Sequence, residues 1–217
     1  MPDLTDTMRL VEQVSARLCH DLSGPIGTVG GALALLIDDI GSAGAGDNEY
    51  ASFAVAASRD LAQRLRLLRA AWGPEASPMT VVELRALADG PLAARRIGLD
   101  TSSMTSHVPF PMGSGRLVLN LVLVAADCLP KGGVITLSGA PDDVFVLIGG
   151  PNAEWPAGLT ACVQNEAAAI DALTSARTLQ MPLTALLVLS QQRRLSPVMG
   201  PLPGGGSGIA AWRLSAA

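Results

Sequence analysis

The chain has 217 residues, enough for one large domain or two small ones with a real core. Hydrophobic residues make up 49%, yet no apolar run approaches the roughly 18 uncharged residues that span a bilayer, so no membrane segment is expected. The net charge of −4 argues against a nucleic-acid partner, and the acidic start "MPDLTDTMRL" lacks the basic and apolar parts of a signal peptide, so a cytoplasmic location is expected. Cys19, Cys128 and Cys162 are odd in number, widely spaced and without a C-x-x-C pair. They fit a reducing compartment and offer no zinc site.

Residues 4 to 40 place Leu4, Met8, Val11, Leu18, Leu22, Ile26, Val29, Leu33, Leu36 and Ile40 at steps of three, four or seven. That spacing predicts one amphipathic helix about 55 Å long. The breaker cluster "GSAGAGDN" (41 to 48) ends it, and Asp47 or Asn48 can cap a second helix running to about Trp72. Its stripe is Tyr50, Phe53, Ala57, Leu61, Leu65, Leu68 and Trp72, with Arg59, Arg64, Arg66 and Arg69 largely off it. A lone hairpin leaves half its apolar surface wet, so a homodimer forming a four-helix bundle is expected.

"GPEASP" (73 to 78) reads as a linker between a domain at 1–73 and a second at 79–217. The second has an α/β pattern: a helix from Val81 to about Arg95, a short strand in "RIGLDT", and an apolar helix over 114–130. A hairpin then turns at Pro141-Asp142-Asp143. Helices are expected near Leu159–Leu173 and Pro182–Leu195, then a flexible connection at 200–208 and a last strand in "SGIAAWRLSA". The fold class is therefore α+β: a helical hairpin followed by an α/β sandwich.

His20, one of only two histidines, lies two positions from both Leu18 and Leu22. At about 100° per residue it points away from the apolar stripe. Ala16, Gly24, Gly27 and Gly31 continue its face, with Arg17 and Ser23 alongside. Each glycine costs up to about 1 kcal/mol inside a helix, and such a bare strip would let another protein's backbone approach the ring. Pro25 removes a backbone donor and frees the carbonyl of Asp21. Neutral imidazole is a good nucleophile near pH 7, and Asp21 can hold Nδ1–H so that Nε2 is free to attack phosphorus. The other histidine, His107 in "TSHVPFP", has no carboxylate near it in sequence.

"ARLCHDLSGPIGTV" resembles the H-box of dimeric sensor histidine kinases: a histidine, an acidic residue, and a proline five positions after the histidine, matched by His20, Asp21 and Pro25. "LVLNLVLVAADCLPKGGVITL" stands where those kinases carry their N-box. Nearly the whole chain looks most like the ChpT-type bacterial histidine phosphotransferases, a helical-hairpin dimer domain followed by a degenerate kinase-like domain. Asn120 matches the first N-box asparagine, but Val124 sits at the second, and an aliphatic side chain cannot ligate Mg²⁺. "IGGPNAEWPAGL" lacks the D-x-G-x-G of the adenine site, and "QMPLTALLVLSQQ" replaces the glycine-rich lid.

The resemblance implies a phosphorelay histidine phosphotransferase without ATP-dependent autophosphorylation. His20 is the expected phospho-acceptor and Asp21 its orienting carboxylate. Arg17, Ser23, Gly24, Gly27, Arg64 and Arg66 are the expected partner-binding residues. Response-regulator receiver domains, and a hybrid histidine kinase, are the implied partners. No cofactor is expected on this chain, the receiver supplying Mg²⁺. Kinases that also act as phosphatases usually carry Thr or Asn where Gly24 stands, so slow loss of phosphate to water is expected. The rival readings are a docking module without transfer and a working sensor kinase.

Overall fold

The computed structural model describes residues 3–42, 49–74, 77–105, 107–201 and 207–216. The long helix α1 spans Leu4–Ser42 without a break at Pro25, and α2 spans Glu49–Trp72 antiparallel to it. The expected caps Asp47 and Asn48 lie outside the described residues.

The second half holds α3 (Val81–Ala93), β1 (Ile97–Asp100), α4 (Ser114–Asp127), β2 (Gly133–Ala140) and β3 (Asp143–Gly149). The short α5 (Leu159–Gln164) and α6 (Glu166–Asp171) follow, then a 3₁₀ turn at Ala176–Thr178, α7 (Gln180–Ser190), β4 (Arg193–Pro201) and β5 (Ser207–Ala216). The sheet order is β1-β2-β3-β5-β4, with β1 and β2 parallel and the other pairs antiparallel. Thr80 starts α3 with a capping box: its hydroxyl accepts from the Glu83 amide, and the Glu83 carboxylate accepts from the Thr80 amide at 2.7 Å. The bond from the Thr80 amide, and then one from the Thr80 hydroxyl to Glu83 Oε2 at 2.8 Å, hold the Glu83 carboxyl below its ordinary range.

Three sequence expectations need correction. The helix expected over Leu159–Leu173 is two short helices that meet at Asn165, whose extended backbone ends α5 while its side chain caps Ala167 N at 2.9 Å. The helix expected to reach Leu195 stops at Ser190, because Gln192 has a φ of 52° and turns the chain into β4. Part of the connection expected to be flexible is therefore paired strand, Gly200 opposite Gly208 and Pro201 opposite Ser207. Pro197 and Pro201 hid that strand from a reading by pattern. An edge strand tolerates proline, and β4 is at the edge.

α4 is the centre of the core, with Leu117, Val118, Leu119, Leu121 and Val122 all fully buried. Leu67 and Ala71 at the end of α2 join this same core, so hydrophobic packing runs continuously past the turn at Gly73. Arg116 Nε donates to Ala71 O at 3.1 Å and Arg116 Nη2 to Trp72 O at 3.2 Å. Asn120 Nδ2 donates to Ala71 O at 2.6 Å. These bonds satisfy the last carbonyls of α2, which helix geometry leaves without partners. A Cβ on Gly90 would overlap the Gln63 side-chain amide, so α3 and α2 meet closely through a glycine.

The hairpin stripe is less covered than the sheet domain. Leu18, Leu22, Val29 and Leu36 are half-buried, whereas Leu4, Met8, Val11, Ile26 and Leu33 stay exposed, as do Phe53 and Leu65 on α2. Leu10 and Val14 instead pack against Leu173, Leu179 and Leu183. They seat the first half of α1 on the second domain. Among the described residues, no helix is long and apolar enough to cross a membrane.

Candidate functional site

His20 stands one turn before Pro25 with its side chain 64% exposed. Its Nδ1 lies 3.1 Å from Asp21 Oδ1. A carboxylate accepts only, so this contact favours the proton on Nδ1, the form that keeps the lone pair on Nε2. His107 is also exposed, on the loop before α4, so exposure alone does not separate the two. Among the described contacts, His20 is the histidine with a carboxylate on its ring.

Asp21 is held in turn. Arg17, one helical turn earlier, donates from Nε to Asp21 Oδ2 at 2.7 Å. The same guanidinium reaches across to the 3₁₀ turn, where Nη1 donates to Ala176 O at 3.2 Å and to Arg177 O at 3.1 Å. Its side chain is 20% exposed, and Nε and Nη1 are engaged within this chain. The carbonyls that engage it lie more than 150 residues away in the chain, which periodicity cannot reveal.

Pro25 leaves the Asp21 carbonyl without its helical donor. Arg64 of α2 fills the gap, donating from Nη1 to Asp21 O at 3.1 Å. Arg64 therefore fastens the histidine turn to the neighbouring helix and lies half-buried. Arg66 is exposed, with Nε on its own helix at Ala62 O, 3.3 Å away. Ser23 is exposed and donates back to Cys19 O. Gly24 and Gly27 are exposed, and a Cβ built on either, or on Gly30 or Gly31, would meet nothing within 4 Å. No close packing within this chain requires glycine at those positions.

A groove beside the ring is lined by Arg17, His20, Asp21, Asp127, Ala176 and Arg177. Asp127 and Arg177 had no signal in the sequence, because α4 and the 3₁₀ turn come to His20 only through the tertiary fold. Asp127 pairs with Arg95 at 3.0 Å, and Arg177 is exposed.

The position resembling a kinase N-box has other work. Asn120 is fully buried: Nδ2 donates to Ala71 O and to Arg116 O, and Oδ1 accepts from Gln180 Nε2 at 3.0 Å. Trp72 Nε1 adds a bond to Gln180 Oε1 at 3.3 Å. Val124 lines a small cavity with Asp127, Cys128, Glu154 and Met181. Burial, with the Asp127 charge second, pushes the Cys128 thiol up to about 12. An amide locked to a helix end and an aliphatic neighbour do not fit a magnesium nucleotide. No cluster of metal-ligating side chains is found among the described residues.

The exposed, carboxylate-held imidazole thus stands on a helical hairpin backed by a mixed helix-and-sheet domain. Residues 81–200 match the family model for the histidine phosphotransferase C-terminal domain. The chain is 23% identical over 148 residues to "Protein phosphotransferase ChpT" of Brucella abortus (strain 2308), covering 66% of this chain and 68% of that one. It superposes with a TM-score of 0.71 on the solved "1.7 Angstrom Structure of a Bacterial Phosphotransferase", at 18% identity over 99% of this chain and 98% of the other. The chain belongs to the histidine phosphotransferase family, of the ChpT type, and its function is histidine phosphotransfer within a phosphorelay.

Proposed function

We propose that His20 carries the phosphoryl group between receiver aspartates. A phospho-aspartyl receiver docks over the glycine strip, and His20 Nε2 attacks phosphorus in line as the aspartyl oxygen leaves. The product is a phosphohistidine on this chain and a free carboxylate on the receiver. A second receiver takes the group by the reverse step. Asp21 holds the Nδ1 proton and balances the positive charge that develops on the ring. The carrying observation is the single contact between Nδ1 and Asp21 Oδ1 beneath an open Nε2. This chain contributes no nucleotide and no metal; Mg²⁺ comes with the receiver. Ser23, Gly24, Gly27 and Arg66 belong to the docking face, and the relay works in the cytoplasm.

The same reading includes a dimer. Ile26, Leu33 and Ile37 on α1, with Phe53 and Leu65 on α2, are exposed apolar side chains, and a second hairpin covers them in a four-helix bundle. Incubation with a phosphorylated receiver and Mg²⁺ should move label onto this chain as an acid-labile, alkali-stable phosphate. Sedimentation should give twice the chain mass. A receiver that binds yet keeps its phosphate would reduce the protein to a docking module.

Gly24 offers a gain-of-function check. A Cβ built on Gly24 meets nothing within 4 Å, so Gly24→Asn meets no clash at the point where its side chain begins. The new amide can position a hydrolytic water against a docked phospho-receiver. Release of inorganic phosphate should quicken on the order of tenfold or more; an unchanged rate counts against the docking pose.

A further inference from the structure

We infer that Arg17 is a positioning residue through which the second domain selects the reactive tautomer of His20. The inference rests on the relay reading and assigns Arg17 a part other than receiver contact. Neutral imidazole carries its proton on either nitrogen, and only the Nδ1–H form leaves Nε2 able to attack. Holding that form requires an acceptor fixed at Nδ1. Asp21 supplies the acceptor, but a carboxylate on an exposed helix can rotate away into water.

Arg17 prevents that rotation. Its Nε holds Asp21 Oδ2 at 2.7 Å while Asp21 Oδ1 faces His20 Nδ1 at 3.1 Å, so the two carboxylate oxygens are divided between the two partners. The guanidinium is itself anchored from the other side, by the carbonyls of Ala176 and Arg177 on the 3₁₀ turn. Arginine suits this task because its planar fork presents several donors in fixed directions; a lysine ammonium does not. The chain of contacts runs from the second domain through Arg17 and Asp21 to the imidazole. A domain whose nucleotide elements are replaced thus keeps a chemical part, as the support that fixes the carboxylate.

Arg17→Met keeps the aliphatic stem and removes every donor. Ring ¹⁵N shifts of the unphosphorylated protein read the tautomer directly. The parent should show Nδ1–H with a bare Nε2, and Arg17→Met should move the population toward Nε2–H. Single-turnover transfer should fall on the order of 10–100-fold, the scale of losing a partner that orients a histidine, with receiver affinity unchanged. In an Asp21→Ala background, Arg17→Met should add nothing further, since Arg17 acts through Asp21. Loss of receiver affinity, or a further fall in the double variant, would make Arg17 a docking contact and overturn the inference. An unchanged tautomer would also overturn it. Should the parent take no phosphate at His20, the relay reading fails while the tautomer measurement still decides the role of Arg17.

Discussion

His20→Ala should accept no phosphoryl group from a phosphorylated receiver, while folding and sedimenting as the parent does. The side chain is mostly in water, and its one described contact is with Asp21, which keeps Arg17 when the ring is gone. Alanine also favours the helix over histidine by roughly half a kcal/mol, so stability should hold or rise slightly. Removing a nucleophile from a unit that acts together costs on the order of 10³-fold or more, which places transfer below detection in an ordinary labelling assay. His107 cannot substitute, since no carboxylate orients its ring among the described contacts. Retained label on the variant would mean that another residue is the acceptor.

Asn120→Leu should have the largest effect on stability. Leucine branches at Cγ as asparagine does but is bulkier, so the change removes hydrogen bonds without opening a cavity and adds some crowding at a fully buried site. The Arg116 carbonyl loses a side-chain donor, Ala71 O loses its 2.6 Å partner, and Gln180 Nε2 loses an acceptor at 3.0 Å. Arg116 still reaches Ala71 O, and Thr184 still engages Gln180, so the loss is partial. At about 1–3 kcal/mol for each buried group left short, a total of roughly 3 kcal/mol is expected. For a chain of this size that lowers Tm by roughly 6–12 °C, measurable by circular dichroism. An unchanged Tm would show that this asparagine does not tie α2 to α4.

Local periodicity made the hairpin legible. A step of 100° per residue placed His20 off the apolar stripe, and the helix indeed exposes it. The contact between Asp21 and the ring was legible for the same reason, being a matter of adjacent residues. Pro25 showed which carbonyl would lack its donor, but not that Arg64 would supply one. Features that depend on distant segments left no trace. The Arg17 contacts with Ala176 and Arg177, the burial of Asn120 against the end of α2, and the approach of Asp127 to the ring are tertiary facts. The edge strand β4 was lost for a different reason: Leu195, Val198 and Met199 are interrupted by Pro197, and only pairing with β5 reveals the strand. Asn165 hid a helix break because a polar residue inside a helical pattern reads equally as a solvent-facing position.

The regiochemistry of the phosphohistidine tests the central claim most directly. Loaded by a phosphorylated receiver and followed by ¹H–³¹P correlation in alkali, the protein should show one phosphorus coupled to the ring protons of His20 in the pattern of Nε2 substitution. Phosphorus on Nδ1 of that ring, on His107 or on a carboxylate would contradict an imidazole held by Asp21 with its far nitrogen open.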